Sequence, residues 1–247
     1  MHSRRITKGW FYRIVVVLGM AFVTFSCDPK AINAVVDDIL SETSSPSKTR
    51  IAQGLKEALT NGISRGTAVL SKVDGYYESP YKIFLPEEAQ KVVDKLKLVP
   101  GFSNVEQEIT KKINRAAEDA AKKAKPIFVD AIRSMTFEDV MGILKGNNTA
   151  ATKYLERKTS GKLYSEFNPV IVTSLNKYNA LDYWEDAVNT YNKIPLVEKM
   201  NPNLDDYITN RALDGLFKMI EKEETAIRTN VKSRTSELLR EVFALQD

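Results

Sequence analysis

Three charged residues fall at positions where the helical pattern calls for apolar side chains. In the segment 203–229 apolar residues recur at helical spacing, and Glu224 lies near the middle of that stripe, with Arg228 one turn further at its flank. Lys158 falls on the apolar face of the segment that begins near residue 150. Burying an unpaired charge is costly. Two interpretations stay open: a structural ion pair of Glu224 with Arg228 or Lys158, or the floor of a polar pocket for a small ligand.

A second polar group, formed by Asn114, Arg115 and Glu118, lies beside a stripe of alanines in the segment 104–135. Asn114 lies at the edge of that stripe and Arg115 points away from it. This placement favours a solvated helix face that carries an ion pair between residues three positions apart.

Four carboxylates are candidates for acid–base chemistry that needs no histidine. A glycosidase uses two such groups about 5–10 Å apart in an open cleft. The sequence does not supply that distance, so a carboxylate-based hydrolase stays open as an alternative. The four residues are Glu118, Asp130, Asp214 and Glu224.

The chain contains one histidine, His2, and one cysteine, Cys27. If the N-terminal segment is removed, as its pattern predicts, the mature chain has neither a histidine nor a free thiol. This excludes Ser-His-Asp and cysteine nucleophiles, histidine-dependent proton transfer and zinc sites of the Cys/His type. Glycine-rich phosphate loops and metal-ligand spacings are also missing from the sequence. We therefore assign no catalytic residue, no metal site and no cofactor, and favour a protein without enzymatic activity.

The N-terminal segment has the pattern of an export signal. Residues 1–13 are basic, residues 14–25 are apolar, and Ser26-Cys27 follows. As a helix this apolar run is about 18 Å long, which is too short for the ~30 Å hydrocarbon layer of a bilayer. The position of Cys27 resembles the signal of bacterial lipoproteins, although the two residues before Ser26 depart from the preferred types. The resemblance implies cleavage before Cys27 and a lipid on its sulfur.

Charge indicates which partners the rest of the chain excludes, and composition indicates how the chain is divided into segments. Four of the 36 Lys and Arg residues precede Cys27, which leaves 32 basic against 32 acidic residues after it. A nucleic-acid binder needs a positive surplus, so nucleic acid is excluded as a partner. We predict a signal peptide over 1–26, a lipid-anchored tether and linker over 27–49, and a helical domain over 50–247.

The periodicity after residue 48 predicts an all-α fold with a single multi-helix domain. The segment 104–135 is expected to form one long helix that is kinked at Pro126. Thr136 and Asp139 predict a capping box at the start of a short helix. Residues 81–85 alternate in polarity and predict an extended connector. Further helices are expected over about 150–160, 162–178, 182–193, 203–229 and 233–245.

Several short motifs occur in a fixed order along the chain. They are N-R-A-A-E at 114–118, F-V-D-A-I at 128–132, A-A-T-K-Y at 150–154, R-K-T-S at 157–160, A-L-D-G-L-F at 212–217 and E-x-x-I-R at 224–228. Over about residues 50–245 the chain is similar to a bacterial family known as domain of unknown function 4197. The resemblance implies an exported, often lipid-anchored helical protein and no known activity. The polar positions that match the family are Asn114, Arg115, Glu118, Asp130, Thr152, Lys158, Thr159, Asp214, Glu224 and Arg228.

Three functions follow as hypotheses. The first is a non-catalytic scaffold or partner-binding module of the cell envelope, attached to a bacterial membrane through the lipid on Cys27. The second is a small-molecule or lipid-binding protein with a polar pocket between helices, floored by Glu224, Arg228 and Lys158. The third is a hydrolase that acts on envelope polymers. The sequence predicts a domain outside the cytoplasm and leaves open whether the inner or the outer membrane holds it.

Overall fold

A computed structural model describes residues 46–200 and 203–246, and over these residues the chain is helical, with no strand. The predicted all-α fold is therefore confirmed. The predicted signal, Cys27 and most of the predicted linker lie outside the described residues. The helices are α1 (Lys48–Leu70), α2 (Glu87–Leu96), α3 (Val105–Ala121), α4 (Ala124–Arg133), α5 (Phe137–Leu144), α6 (Ala150–Lys177), α7 (Ala180–Tyr191), α8 (Asp205–Thr229) and α9 (Glu237–Phe243), with 3-10 turns at Val231–Ser233 and Ala244–Gln246.

The core forms where α6 packs against α3 and α8, and where α1 packs against α8, α4 and α9. Ala116, Ala117 and Ala120 of α3 are fully buried, and such small side chains allow another helix to approach closely.

Within the described residues no helix combines the length and the apolarity that a membrane crossing requires.

The segment 104–135 forms two helices rather than the single kinked helix that its periodicity predicts. The break lies at Lys122 and Lys123, where the amide of Lys123 bonds to the carbonyl oxygen of Ala120 at 2.9 Å, which tightens the turn. Pro126 has no N–H and sits in the first turn of α4, where a helix makes no use of that donor. The proline therefore marks the start of a new helix.

Helix α6 is continuous, although the sequence predicts two helices separated near residue 161. A β-carbon added at Gly161 would meet nothing within 4 Å, so this glycine lies on the open side of the helix. Its unfavourable helix propensity, about 1 kcal/mol relative to alanine, is opposed by burial on the other side. The residues buried there include Leu155, Thr159, Leu163 and Phe167.

The connector is defined as residues 71–86 between α1 and α2. Its residues 82–86 form neither helix nor turn, and the backbone of Pro86 is extended. Ile83 and Leu85 are buried, whereas Phe84 between them is 65% exposed. The connector therefore presents an aromatic side chain on the surface while its neighbours anchor it in the core.

Candidate functional site

Glu224 is buried and accepts hydrogen bonds from both ends of its carboxylate. One oxygen accepts from the backbone N–H of Ala151 at 3.0 Å and from Nε of Arg228 at 2.9 Å. The other accepts from the N–H and the hydroxyl of Thr152, both at 2.8 Å. These amides belong to the first turn of α6, and the side chain of the N-cap residue, Thr149, does not accept a hydrogen bond from that turn. Glu224 therefore caps α6 from a different helix.

Arg228 completes this group at the end of the preceding helix. Its Nη2 donates to the carbonyl oxygen of Ile143 at 2.8 Å, and Nη1 donates to that of Leu144 at 3.3 Å. A carboxylate at the start of α6 and a guanidinium at the end of α5 both complement the helix dipoles. We call Glu224, Arg228 and Thr152 the C-terminal cluster, and it joins α5, α6 and α8.

Of the two pairings open for Glu224, the structure forms the one with Arg228. The expected burial of Lys158 is wrong, because this side chain is exposed and its Nζ lies 5.8 Å from the centre of the Tyr154 ring. The buried stripe of α6 advances in steps of four through Leu155 and Thr159. Tyr154 lies at the edge of that stripe, and Lys158, one turn after Tyr154, lies outside it.

The capping box predicted at Thr136 is confirmed. The amide of Asp139 donates to the Thr136 hydroxyl at 3.1 Å, and the Asp139 carboxylate accepts from the Thr136 amide at 2.9 Å. The Tyr154 hydroxyl bonds to the same carboxylate at 3.2 Å. The Thr136 backbone bond is the main cause that holds the pKa of Asp139 below its ordinary value of 3.8, against the opposing effect of burial.

Asn114 is fully buried and holds the connector. Its side-chain oxygen accepts from the amide of Ile83 at 2.8 Å, and its side-chain nitrogen donates to the carbonyl oxygen of Ile83, also at 2.8 Å. The same nitrogen donates to Thr110 on its own helix at 2.7 Å. The carboxamide thus bonds to both backbone groups of Ile83, in the way that a neighbouring strand would. These two bonds fix residues 82–86 on α3.

Arg115 and Glu118 hold the first part of the connector, so the solvated face predicted for them is wrong. Arg115 bonds to Glu118 and to Asp74, each at 2.6 Å, and the second Glu118 oxygen accepts from the amides of Tyr76 and Tyr77 at 3.2 and 3.3 Å. Burial opposes the charge of Arg115, but its bonds to the two carboxylates outweigh burial and raise its pKa. The connector covers this face, and the sequence did not indicate that.

The carboxylates considered for hydrolysis do not form an open pair. Glu118 and Glu224 are buried and bonded to backbone amides. Asp130 and Asp214 are exposed, and each lies near an arginine three positions away on its own helix, at 3.8 and 3.2 Å. The structure therefore brings together Glu224 with Arg228, and Asn114 with Arg115 and Glu118 around the connector. Lys158, Asp130 and Asp214 belong to neither group.

The pocket predicted next to Glu224 is only partly present. A cavity of about 460 Å³ between α5 and the C-terminal residues reaches Arg228, but Glu224 does not line it. Arg228 already donates to Glu224 and to two carbonyl oxygens. The charges of the C-terminal cluster are therefore engaged within the fold.

The connector carries a group of side chains that the sequence did not single out. The Lys82 Nζ lies 4.3 Å from the ring centre of Tyr77 and 5.6 Å from that of Phe84. The Tyr207 hydroxyl donates to the carbonyl oxygen of Phe84 at 3.1 Å, and Arg211 lies over the Tyr207 ring. We call these five residues the connector surface. One sequence feature could have indicated this surface. The alternation over residues 81–85 places Phe84 on the side opposite to the buried residues Ile83 and Leu85.

Cavities lie on both sides of this surface. One, of about 200 Å³, lies between the connector and α8, and the other, of about 360 Å³, lies between the connector and the start of α3. Lys82 and Phe84 line both.

In the part of the chain that the structure describes, no three His, Cys, Asp or Glu residues are grouped so that they could hold a metal ion.

The connector is held by the residues of the N-R-A-A-E motif, and the C-terminal cluster by those of the A-A-T-K-Y and E-x-x-I-R motifs. The model of the family described as "Protein of unknown function (DUF4197)" matches residues 45–244. The chain belongs to the DUF4197 family. This DUF4197 chain has no match among the curated proteins and none among the solved structures. Membership in this family explains why the motifs occur together, and the description of the family names no activity.

Proposed function

We propose that this chain is a non-catalytic binding module of the bacterial cell envelope, held on a membrane by a lipid on Cys27. In this proposal the domain lies outside the cytoplasm and recruits a partner protein through the connector surface. The supporting sequence features are the basic and apolar N-terminal segments that end at Ser26-Cys27. Membership in a family of unknown function is compatible with this role and does not define it.

The observation that carries the proposed binding role is the exposure of Phe84 on a fixed backbone. Its side chain is 65% exposed, yet the residues on either side are buried and the Asn114 carboxamide pairs with Ile83. Aromatic residues held rigidly at a surface are characteristic anchors of protein interfaces. The buried charges, in contrast, are bonded to backbone groups and have a structural role.

The test is site-specific photo-crosslinking in cells of the native host. A benzophenone amino acid replaces Phe84 in one strain and Val231, an apolar residue that is 55% exposed on the turn after α8, in a control strain. We expect one defined partner adduct from position 84 and none from position 231. Equal adducts from both positions, or none from position 84, would contradict the binding role.

The anchor has its own test, the intact mass of the protein purified from native membranes. We expect a chain that begins at Cys27 and carries acyl mass. A species that still begins at Met1, or an unacylated Cys27, would contradict membrane attachment through the lipid.

A second candidate function is the binding of a small amphipathic molecule. A cavity of about 400 Å³ lies among α2, α7 and α8, with apolar walls that include Pro86, Tyr191, Leu204 and Tyr207. This volume falls within the range of small-molecule sites. Native mass spectrometry of the delipidated protein with envelope extracts tests it, and only a bound mass that is lost in Tyr191→Ala would support it.

A further inference from the structure

We propose that the connector surface binds an acidic, extended segment of the partner protein, with one carboxylate of that segment in the cavity between the connector and α8. This inference rests on the proposed function, because it specifies what the recruited partner presents. It follows from the charges around Phe84, from the shapes of the two cavities and from the rigidity of the backbone between them.

The charges that line the two cavities are predominantly positive. The basic residues are Lys82, Lys97, Arg211 and Lys218, and the acidic residues are Asp214 and Glu106. Arg211 pairs with Asp214, and Lys97 pairs with Glu106 and Asp94. Lys82 and Lys218 form no ion pair with any residue that the structure describes. A chain that is formally neutral after Cys27 therefore concentrates unneutralised positive charge at this place, which complements an acidic partner.

The cavity next to α8 has the size and the chemistry for one acidic side chain. It holds about 200 Å³, and its lining includes three basic residues (Lys82, Arg211 and Lys218), one acidic residue (Asp214) and aromatic side chains. Gly215 forms part of its wall, and a β-carbon there would lie 2.8 Å from the Tyr76 ring. The glycine therefore lets α8 approach the connector closely. A carboxylate entering this cavity meets Arg211, which also pairs with Asp214, and the two lysines, Lys82 and Lys218, which have no ion pair among the described residues.

The cavity next to α3 suits the backbone that would follow such a carboxylate. Its lining includes residues with hydroxyl or amide side chains, namely Ser103, Asn104, Gln107 and Thr110. These groups both donate and accept hydrogen bonds, as the N–H and C=O groups of an extended peptide require. The ridge of Lys82 and Phe84 separates the two cavities, so a peptide crossing it places side chains on either side.

The concave shape favours a peptide over a membrane surface. A bilayer presents a broad, nearly flat face and would contact the Phe84 ridge without filling cavities of about 200 and 360 Å³ beside it. The ridge is also fixed in advance, since Asn114 holds Ile83 and Tyr207 holds Phe84. A preorganised surface loses little conformational entropy when an extended segment binds.

The test measures binding of a fluorescent hexapeptide, acetyl-Asp-Phe-Glu-Asp-Leu-Glu-amide, to the native protein in detergent. The comparison peptide replaces every acidic residue with lysine. We expect saturable binding of the acidic peptide alone, weakened about tenfold or more in Lys82→Glu/Lys218→Glu. The matched control, Lys162→Glu/Lys232→Glu, changes the net charge equally at exposed positions elsewhere and is expected to change the dissociation constant less than about twofold.

A second variant, Phe84→Ala, keeps every charge and is expected to weaken binding of the acidic peptide about fivefold or more. Circular dichroism checks that each variant is folded. Equal weakening in both double variants, or no binding of the acidic peptide, would overturn the proposal. Binding of anionic phosphatidylglycerol vesicles that depends on Lys82 and Lys218, without peptide binding, would overturn it in favour of a membrane contact. A partner adduct at position 84 with no peptide binding refutes only this inference, whereas peptide binding without an adduct refutes the proposed function.

Discussion

Glu224 shows how this protein keeps a carboxylate in its core. An ionised carboxylate offers about four acceptor positions, and the structure supplies four donors, two of which are backbone amides of α6. The amides would otherwise be unpaired at a buried helix start. The charge is therefore retained because it satisfies donors on α6 as well as Arg228 on its own helix, and its removal has consequences beyond the ion pair.

Glu224→Ala is expected to lower the free energy of unfolding by about 3–5 kcal/mol, because it removes the carboxylate to which Arg228 and two buried amides of α6 donate. Chemical denaturation measures the change. Asp130→Ala is the matched control, since Asp130 is exposed and lies 3.8 Å from Arg133. It is expected to change stability by less than about 0.5 kcal/mol. Similar losses in the two variants would contradict the structural role of the C-terminal cluster.

Asp139 makes stability depend on pH in a defined direction. Its folded-state pKa lies below 3.8, chiefly because of the Thr136 amide, so folding favours the ionised form. The stabilisation is complete above the unfolded pKa and is lost as the pH falls through the folded pKa. We expect Asp139→Asn to be less stable than the parent at pH 7, with the difference shrinking in acid. Urea unfolding from about pH 7 to pH 2.5 checks this, and a constant difference would contradict it.

At the scale of elements, side chains of α3 hold the connector in addition to the backbone bonds that the connector makes within itself. Asn114 bonds to Ile83, and Glu118 bonds to the amides of Tyr76 and Tyr77. Burial of Ile83 and Leu85 adds apolar contact. The geometry of the connector surface is therefore set from α3, although the surface residues themselves lie on the connector and α8.

Asn114→Ala is expected to cost about 1–3 kcal/mol and to raise the hydrogen-exchange rate of the Ile83 amide, because that amide loses its acceptor. Exchange measured by NMR reports both effects. Asn210→Ala serves as control, since Asn210 is exposed and bonds only within α8, to the carbonyl oxygen of Asp206. Protection of Ile83 that survives in Asn114→Ala would show that other contacts hold the connector.

Two helical glycines are expected to respond to alanine in opposite ways. A β-carbon at Gly142 meets nothing within 4 Å, so Gly142→Ala is expected to stabilise the domain by about 0.5–1 kcal/mol. A β-carbon at Gly54 would lie 2.5 Å from Val242, which is fully buried on α9, so Gly54→Ala is expected to cost about 1–3 kcal/mol. Thermal unfolding compares them, and an equal sign of change would contradict the packing of α9 on α1.

For the whole molecule, local patterns were predictable and long-range bonds were not. The Thr136 capping box follows from the spacing of two residues three positions apart, and the four-residue spacing makes Arg228 one of the two partners that the sequence offers for Glu224. Asn114 and Ile83 are 31 positions apart, and Glu224 caps a helix that begins 74 positions earlier. Helical periodicity shows which side of a segment is apolar, but not which segment covers a polar neighbour.

Arg234 is another residue whose contacts the sequence only partly predicts. It is 2% exposed, and it donates to the carbonyl oxygens of Ile227 and Arg228 at 3.1 and 2.9 Å. A basic side chain just after a helix is a known means of satisfying the last carbonyls. That signal was present in the sequence, but burial of the guanidinium depends on packing around the end of α8.

The position of α8 has a consequence for how the molecule is made. Glu224 and Arg228 come after α5 and α6 in the chain, yet they complete the end of α5 and the start of α6. A growing polypeptide that has not yet received this region lacks the acceptor and the donors that join those two helices. The bonds through which the C-terminal cluster joins those two helices therefore form only after residue 228 has been synthesised, and a premature stop codon before residue 224 yields a product without them.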